Sequence, residues 1–310
     1  MKQYIVSVFM LTYNQEQFIA QTIKSILMQK TNFAYQLVIG EDGSTDTTRN
    51  ICESYAQQFP EKIKLLAPLE KNIGLIANYM RTIKECDGKY IAICDGDDYW
   101  IDEYKLQKQV DFLENNPDYS IVHTAVNRLY EDGSIKEYHY HPNKEIVDFD
   151  DLVFNNYIYS VSCLFRNIQS IENCLPVWFA QFPFGDWQTY LWTIKDGGKI
   201  HFINEVTAVY RMGIGISFGY MKKNSSFIQI LINVLENIYQ DKDFEHKKGI
   251  ISKSISNKRK DLMTSFNREK NYLKAFVEFL RILKTSKSKR SFIKFYFYSV
   301  FKSFTQIKEK

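Results

Sequence analysis

The chain has 310 residues, 45% of them hydrophobic and 25% charged, with a formal net charge of +4. That composition supports a large globular core with an appendage and argues against disorder. A charge balance so near neutral excludes a nucleic-acid polyelectrolyte, and no apolar run reaches the roughly 18 residues of a membrane span.

The charge is unevenly placed. Carboxylates gather in the first half, at Glu41, Asp42, Asp95, Asp97, Asp98 and Asp102, while the end of the chain is basic. The asymmetry points to two partners, a cation and an anionic surface. Five cysteines, at 52, 86, 94, 163 and 174, include no CxxC pair and read as reduced and structural. Tyr4 to Leu11 is apolar but too short for a signal peptide and leads straight into a polar loop. The expected location is therefore cytoplasmic, with peripheral contact at the inner face of the membrane.

In chain order, Ile5 to Leu11 is a near-continuous apolar run, as in a strand covered on both faces. Asn14 is placed to cap the next helix, with Gln17 at the third position of a capping box. Phe18, Ile19, Ile23, Ile26 and Leu27 then form an apolar stripe at helical spacing. Leu37 to Ile39 is the second strand. Ser44 or Asp46 caps a helix carrying Ile51, Tyr55 and Phe59. Ile63 to Leu66 is the third strand, and Gly74 opens the third helix. Tyr90 to Cys94 is the fourth strand. This β-α-β-α-β-α-β order predicts a parallel, doubly wound sheet.

Beyond Asp98 the pattern changes. A helix is expected around Leu106, Val110 and Leu113. Glu131-Asp132-Gly133-Ser134 joins Ser120–Tyr130 to Ile135–Tyr140 as a hairpin. Tyr159 to Phe165 reads as a strand, and Trp187 to Ile194 as a helix ended by Gly197-Gly198. Ile200–Ile203 and Val206–Tyr210 are the last two strands. From about Tyr220 the reading is helical, with Phe227–Ile238 and Tyr272–Leu283 the clearest segments. The expected division is a catalytic domain over 1–219 and a helical region over 220–310.

In open α/β sheets, ligands bind beyond the carboxyl ends of the strands. Four polar clusters fall there: Thr12-Tyr13-Asn14, Glu41 to Asp46, Asn72-Ile73-Gly74, and Asp95-Gly96-Asp97-Asp98. The last is the sharpest. Carboxylates packed so closely repel one another unless a cation lies between them. Mg²⁺ or Mn²⁺, which takes oxygen ligands and completes its shell with phosphates and water, suits such a turn. A D-x-D alone is common by chance, Asp-Gly-Ser is ordinary turn chemistry, and Asn14 is an ordinary cap. The convergence of all four clusters is what carries the functional reading. Neither G-x-G-x-x-G nor a P-loop follows the first strand, no Ser-centred nucleophile elbow is present, and the five histidines have no zinc spacing.

Five ordered stretches resemble family 2 glycosyltransferases of the GT-A fold: VFMLTYNQEQFIAQTIKSILMQ, LVIGEDGSTDTT, KNIGLIANY, GKYIAICDGDDYW, and FGDWQTYLW followed by VTAVYR. The resemblance runs from about residue 3 to 217. It implies an α/β fold, a doubly wound, mostly parallel sheet with helices on both faces, plus a C-terminal helical extension. It implies an inverting enzyme that moves a sugar from a UDP-sugar to a hydroxyl of a glycan or lipid-linked acceptor, in surface polysaccharide assembly.

Residue roles follow from the same resemblance. Thr12, Tyr13, Asn14, Glu41 and Asp42 frame the base, with Asp42 accepting from the uracil N–H. Asn72 and Gly74 lie along the nucleoside. Asp95 and Gly96 meet ribose, Asp95 and Asp97 hold Mg²⁺ or Mn²⁺, and Asp98 supports the sugar. Arg211 approaches the diphosphate. Asp186 is the general base, and Trp187 packs on the acceptor side. An acceptor hydroxyl needs such a base on chemical grounds alone, although Asp186 also suits a plain helix cap. Two departures stand out. No His follows Tyr210-Arg211, where the family often has one; Arg211 and Ser217 are the residues able to substitute. Glu41 replaces the commoner Asp.

Two alternatives are a nucleotidyltransferase, which would want a Gly-rich basic signature after the first strand, and a non-catalytic nucleotide-sugar or glycan-binding module of the same fold. At the chain's end, Lys284, Lys287, Lys289, Arg290, Lys294, Lys302, Lys308 and Lys310 interleave with Phe292, Phe295, Phe297, Phe301 and Phe304. That mixture suits an interfacial helix on an anionic leaflet, or equally a solvated helix packed on protein. No nucleic-acid motif accompanies it.

Overall fold

The computed structural model describes residues 4–140, 142, 144–168, 175–215, 219, 223–285 and 288–305. Two compact units emerge, Met1–Ile216 and Ser217–Lys310. The first is built on a nine-stranded sheet: β1 (Val6–Thr12), β2 (Tyr35–Glu41), β3 (Ile63–Leu65), β4 (Tyr90–Ile93), β5 (Tyr99–Trp100), β6 (Tyr119–Leu129), β7 (Ile135–Tyr138), β8 (Leu164–Arg166) and β9 (Lys199–Arg211). Spatial order is β3-β2-β1-β4-β8-β6-β9-β5, with β7 paired to β6. The β3-β2-β1-β4 half is wholly parallel. Antiparallel β8 joins it to β6, which runs parallel to β9.

Alternation along β1 assigns the faces. Val6, Val8 and Met10 share a core cluster with Ile19, Ile23 and Ile26 of α1 (Ile19–Leu27) and Leu106, Val110 and Leu113 of α4 (Lys105–Asn115). Phe9 points the other way and meets the Tyr79 ring of α3 (Leu75–Ile83) at 4.8 Å. Helices therefore cover both faces. The sheet's remaining helices are α2 (Thr48–Gln58), α5 (Phe149–Leu152) and α6 (Asp186–Thr193).

Three local expectations are corrected. Asn14 does not cap α1. It sits at φ 50°, and its Oδ1 accepts the Thr45 N–H at 2.8 Å, tying the loop after β1 to the loop after β2. α1 begins after Phe18 with no side-chain cap, so the capping box with Gln17 is absent. The strand expected over Tyr159–Phe165 is a 3₁₀ turn, Ser160–Ser162, followed by a strand only at Leu164–Arg166; the Ser162 hydroxyl donates to the Tyr159 carbonyl and holds the turn. Ile200–Ile203 and Val206–Tyr210 are one long strand, kept continuous by irregular register against β6.

The second unit packs α7 (Asn224–Gln240), α8 (Lys248–Arg268), α9 (Tyr272–Thr285) and α10 (Lys289–Thr305). Its core has two clusters, one of Met263, Ala275, Phe279, Ile282, Phe292 and Tyr296 and one of Ile228, Ile232 and Leu262. The buried carboxylate of Glu278 is matched by Arg259 at 2.9 Å and Arg281 at 2.7 Å. Cys174, Ser217, Lys287, Lys308 and Lys310 lie outside the described residues.

Candidate functional site

The strand ends meet as one polar edge. Thr12 pairs with Glu41 at the last register position of β1 and β2, and the Asp42 N–H donates to the Thr12 carbonyl at 3.1 Å. The Gly96 N–H donates to the Leu11 carbonyl, so the acidic turn lies directly beside the end of β1. The clusters far apart in sequence are neighbours here.

Asp42 organises one side of this edge. Its two oxygens accept the Ile73 and Gly74 N–H groups, at 2.9 and 3.1 Å, and hold the Asn72-Ile73-Gly74 loop against the end of β2. Burial raises its carboxyl above the ordinary range despite those donors. Gly43 makes the approach feasible. It has φ 67°, and a Cβ there would lie 2.7 Å from the Lys71 carbonyl carbon. Glu41 is likewise buried, accepts the Ser44 N–H at 2.6 Å and faces Arg49 at 3.8 Å. Tyr13 is half-buried, and Asn14 and Asn72 are exposed beside these loops.

The acidic turn divides its carboxylates between two tasks. Asp98 points inward, 2% exposed, and its Oδ1 accepts the Arg211 backbone N–H at 2.8 Å. Thr22 donates to the Asp98 carbonyl at 2.6 Å and also contacts the Gly96 carbonyl. Asp95 and Asp97 stay partly open to solvent. Burial and the nearby Asp97 and Asp186 charges push the Asp95 carboxyl up to about 7. Asp97 is raised as well, chiefly by burial.

Gly96 leaves room between them. A Cβ there would stand 2.4 Å from Gln15 Oε1 and 2.8 Å from Thr12 Oγ1. Both of those atoms, and Asp95 Oδ1, are buried without a hydrogen-bond partner. Native folds rarely leave such oxygens idle. Gln15 was not singled out by its sequence, although it lies in the polar loop after β1.

Arg211 is pinned behind the turn. Its guanidinium donates to the Asp97 carbonyl and to Gln21 Oε1 at 2.6 Å, between the rings of Phe18 and Tyr99 at 4.6 and 4.9 Å. It is 9% exposed. Its positive charge lowers the Asp97 carboxyl and so offsets part of the burial penalty.

Asp186 opens α6 as its first residue, after Gly185. The helix is fixed through Thr189, whose hydroxyl bonds the Tyr79 phenol at 2.8 Å. Trp187 is buried and spends its indole N–H on the Leu152 carbonyl at 2.9 Å, so it anchors α6 from behind. The Asp186 carboxyl is raised by burial, while the Trp187 N–H and Asn156 pull it down. Asn156 Nδ2 donates to Asp186 Oδ2 at 2.9 Å. That residue was missed by sequence reasoning, since a lone Asn in a coil carries no periodic or motif signal. Burial raises the Tyr210 phenol, and the negative charges of Asp98, Asp97 and Asp186 raise it further.

Among the described residues, no group of three or more His, Cys, Asp or Glu side chains is arranged as a ready metal cage. Asp95 and Asp97 remain as two hard-oxygen donors, one with an idle buried oxygen. Such a pair fits a divalent cation that draws the rest of its shell from phosphate and water.

The same fold recurs in proteins of known structure. The chain superposes on S. aureus TarS 1-349, solved in complex with UDP-GlcNAc, with a TM-score of 0.60 at 17% identity over 86% of this chain and 81% of that one. It superposes on the mannosyltransferase PcManGT from Pyrobaculum calidifontis, solved with GDP-Man and Mn²⁺, with a TM-score of 0.61 at 14% identity over 98% and 87%. The shared fold is that of the GT-A glycosyltransferases. By sequence it is 32% identical over 213 residues to the uncharacterized protein Rv1520 of Mycobacterium tuberculosis, matching 66% of this chain and 58% of that relative's length. The profile described as glycosyl transferase family 2 matches residues 7–172. That match takes in more than half of the chain, including the ends of β1, β2 and β4 and the acidic turn, and the chain accordingly belongs to glycosyl transferase family 2.

Proposed function

We propose that this chain is a metal-assisted, inverting glycosyltransferase that moves a sugar from a nucleotide-sugar, with UDP as the nucleotide, to a hydroxyl of a glycan or lipid-linked acceptor. The observation that carries the reading is the single polar edge at the ends of β1, β2 and β4, where the acidic turn lies beside the end of β1 and the buried oxygens of Thr12, Gln15 and Asp95 are left without partners. In this reading residues 1–219 are the catalytic domain. Asp42, Glu41, Thr12, Tyr13 and Asn14 frame the base, with Asn72 and Gly74 along the nucleoside and Asp95 and Gly96 at the ribose. Asp95 and Asp97 hold Mg²⁺ or Mn²⁺, which when bound neutralises charge on the departing diphosphate. Arg211 sets the position of Asp97 and adds positive charge near that diphosphate. Asp98 braces the turn from within.

Asp186 takes the acceptor's proton as the hydroxyl oxygen attacks the anomeric carbon opposite the leaving diphosphate. A single displacement of this kind inverts configuration and needs one base. The test is thermal stabilisation by a nucleotide panel with and without Mn²⁺. A ligand bound only to the folded state at about 100 times its Kd adds about 2.7 kcal/mol of stability. A UDP-selective shift that depends on Mn²⁺ is expected. No shift with any nucleotide at millimolar concentration favours a module without a working donor site.

The basic end of the chain completes the proposal. No helix among the described residues is long and apolar enough to cross a membrane. In α10, Phe292 and Tyr296 face the core, while Phe297, Tyr298, Phe301 and Phe304 are each more than half exposed alongside Lys294 and Lys302. An enzyme working at the cytoplasmic face on a lipid-linked acceptor would rest this face on an anionic leaflet. Replacing Phe297 and Phe301 with Asp is expected to reduce flotation with phosphatidylglycerol vesicles at least about tenfold, since both apolar contact and charge attraction are lost. Equal flotation of the variant and the parent protein would sink the membrane assignment and leave α10 as a packing helix.

A further inference from the structure

A base at Asp186 requires an approach for the acceptor, and the first unit carries an aromatic tract that begins there. Tyr210, which directly precedes Arg211, whose backbone N–H is held by Asp98 at 2.8 Å, meets the Tyr159 ring at 4.7 Å. Tyr159 meets Tyr138 at 5.2 Å, Tyr138 stacks on Tyr140 at 6.3 Å, and Tyr140 stacks on Tyr157 at 4.7 Å. The tract then returns to the base, because Asn156, next to Tyr157, donates to the Asp186 carboxylate.

Strand register explains the assembly. Arg128 of β6 lies opposite Tyr210 of β9, and Val126 opposite Tyr138 of β7, so Arg128, Tyr138 and Tyr210 share one face of the sheet. The Arg128 guanidinium carbon sits 3.8 Å from the Tyr138 ring centroid and 5.4 Å from that of Tyr159. Its Nε is buried without a partner, as is the Tyr157 phenol oxygen. No carboxylate among the described residues pairs with Arg128.

Two features distinguish this tract from ordinary core. All five tyrosines remain partly open, with Tyr140 37% exposed. Their polar complement includes two buried atoms left without partners, which a sealed core avoids. The chemistry suits a sugar. A pyranose offers C–H faces to the negative faces of aromatic rings and hydroxyls to phenol and guanidinium groups at the edges. A bare lipid chain would use the rings and leave Arg128 and the phenols unmet.

We infer that the tract of Tyr210, Tyr159, Tyr138, Tyr140 and Tyr157, with Arg128 beside it, is the binding surface for an oligosaccharide acceptor, whose terminal hydroxyl it delivers to Asp186. The inference rests on the transferase reading for its direction, since that reading makes Asp186 the destination. Glycan binding itself does not depend on turnover.

The test uses the full chain on an array of immobilised bacterial capsule and cell-wall oligosaccharides, with UDP and Mn²⁺ stabilisation measured in parallel. Tyr140→Ala removes the most open ring, and Tyr157→Leu keeps apolar volume while removing the stacked phenol. Each is expected to weaken binding to the best glycans about five- to tenfold, as for loss of one aromatic stacking contact, with nucleotide stabilisation unchanged. Glycan binding equal in parent and variants overturns the assignment, as does absence of binding to every glycan by a protein that UDP and Mn²⁺ stabilise. If the nucleotides fail to stabilise the protein, the transferase reading falls, while a loss of glycan binding confined to the variants still supports the tract.

Discussion

Asp186→Asn is expected to lower turnover by about 10²- to 10⁴-fold, the range that loss of a positioned general base produces. Stabilisation by UDP and Mn²⁺ should be retained, because in the proposed reading Asp186, the first residue of α6, acts on the acceptor hydroxyl and not on the nucleotide or the metal. The substitution is nearly isosteric, and an amide oxygen in its place can still accept the Asn156 donor at 2.9 Å. Loss of activity with donor binding intact therefore reports chemistry and not collapse of the site.

The pH profile gives a second readout. Burial holds the Asp186 carboxyl above the usual carboxylate range, and Asn156 pulls it back down. A base works only when ionised, so the parent enzyme's rate falls as pH drops through this raised value. Asn156→Ala removes a group that lowers it, so the acid limb moves to higher pH, and turnover at low pH suffers more than at high pH. Asp186→Asn removes that limb altogether. Turnover within a few-fold of the parent in Asp186→Asn would place the base elsewhere.

How much of this was legible in the sequence depended on the range of the interactions that decide each feature. β1, β2 and β4 were readable because strands buried on both faces must be apolar throughout, and all three are nearly fully buried. The acidic turn was readable because carboxylates at such density after a buried strand have few other uses. Asn14 defeated the local reading. Its preference for a helix cap is real, but a contact 31 residues away, to Thr45, draws it into a left-handed conformation instead. The two-residue β5 has no period to detect and exists only through pairing with β9.

Lys105 shows the same limit in the core. It is fully buried, bonded to Gln109 at 2.6 Å and set 4.6 Å over the Trp100 ring, and burial brings its ammonium down to about 8. Nothing in its helical context separates it from the solvated lysines nearby. The tyrosine tract escaped notice for a related reason. Its members come from β7 and the coil just after it, from β9, and from the coil before the Ser160–Ser162 turn, so segments far apart in sequence meet only in the fold.

Asp97→Asn is expected to act in opposite directions on the free and the liganded protein. In the free protein Asp97 raises both Asp95 and Asp98, and its own carboxyl is raised chiefly by burial. An acid whose folded-state pKa lies above its unfolded value destabilises the fold at any pH where it must ionise. A neutral isostere relieves that repulsion, so the free variant should melt above the parent near pH 8, by an amount on the order of 1 kcal/mol. The advantage should shrink as pH falls and the parent's carboxyls take up protons. The backbone carbonyl of Asp97, which accepts from Arg211, is unaltered by the change. In the presence of UDP and Mn²⁺ the order reverses, because a carboxylate donor for the divalent cation is gone. The Mn²⁺-dependent stabilisation should then be lost, so that adding Mn²⁺ to the variant with UDP leaves its melting temperature unchanged. Melting curves on both proteins, with and without UDP and Mn²⁺ and at two pH values, read all of these effects. A free variant less stable than the parent would show that Asp97 is a structural ion-pair member. An unchanged Mn²⁺ increment would place the cation away from the acidic turn. The paired outcome, a more stable free protein that has lost its metal response, marks a charge cluster kept at a cost to the fold because the bound state requires it.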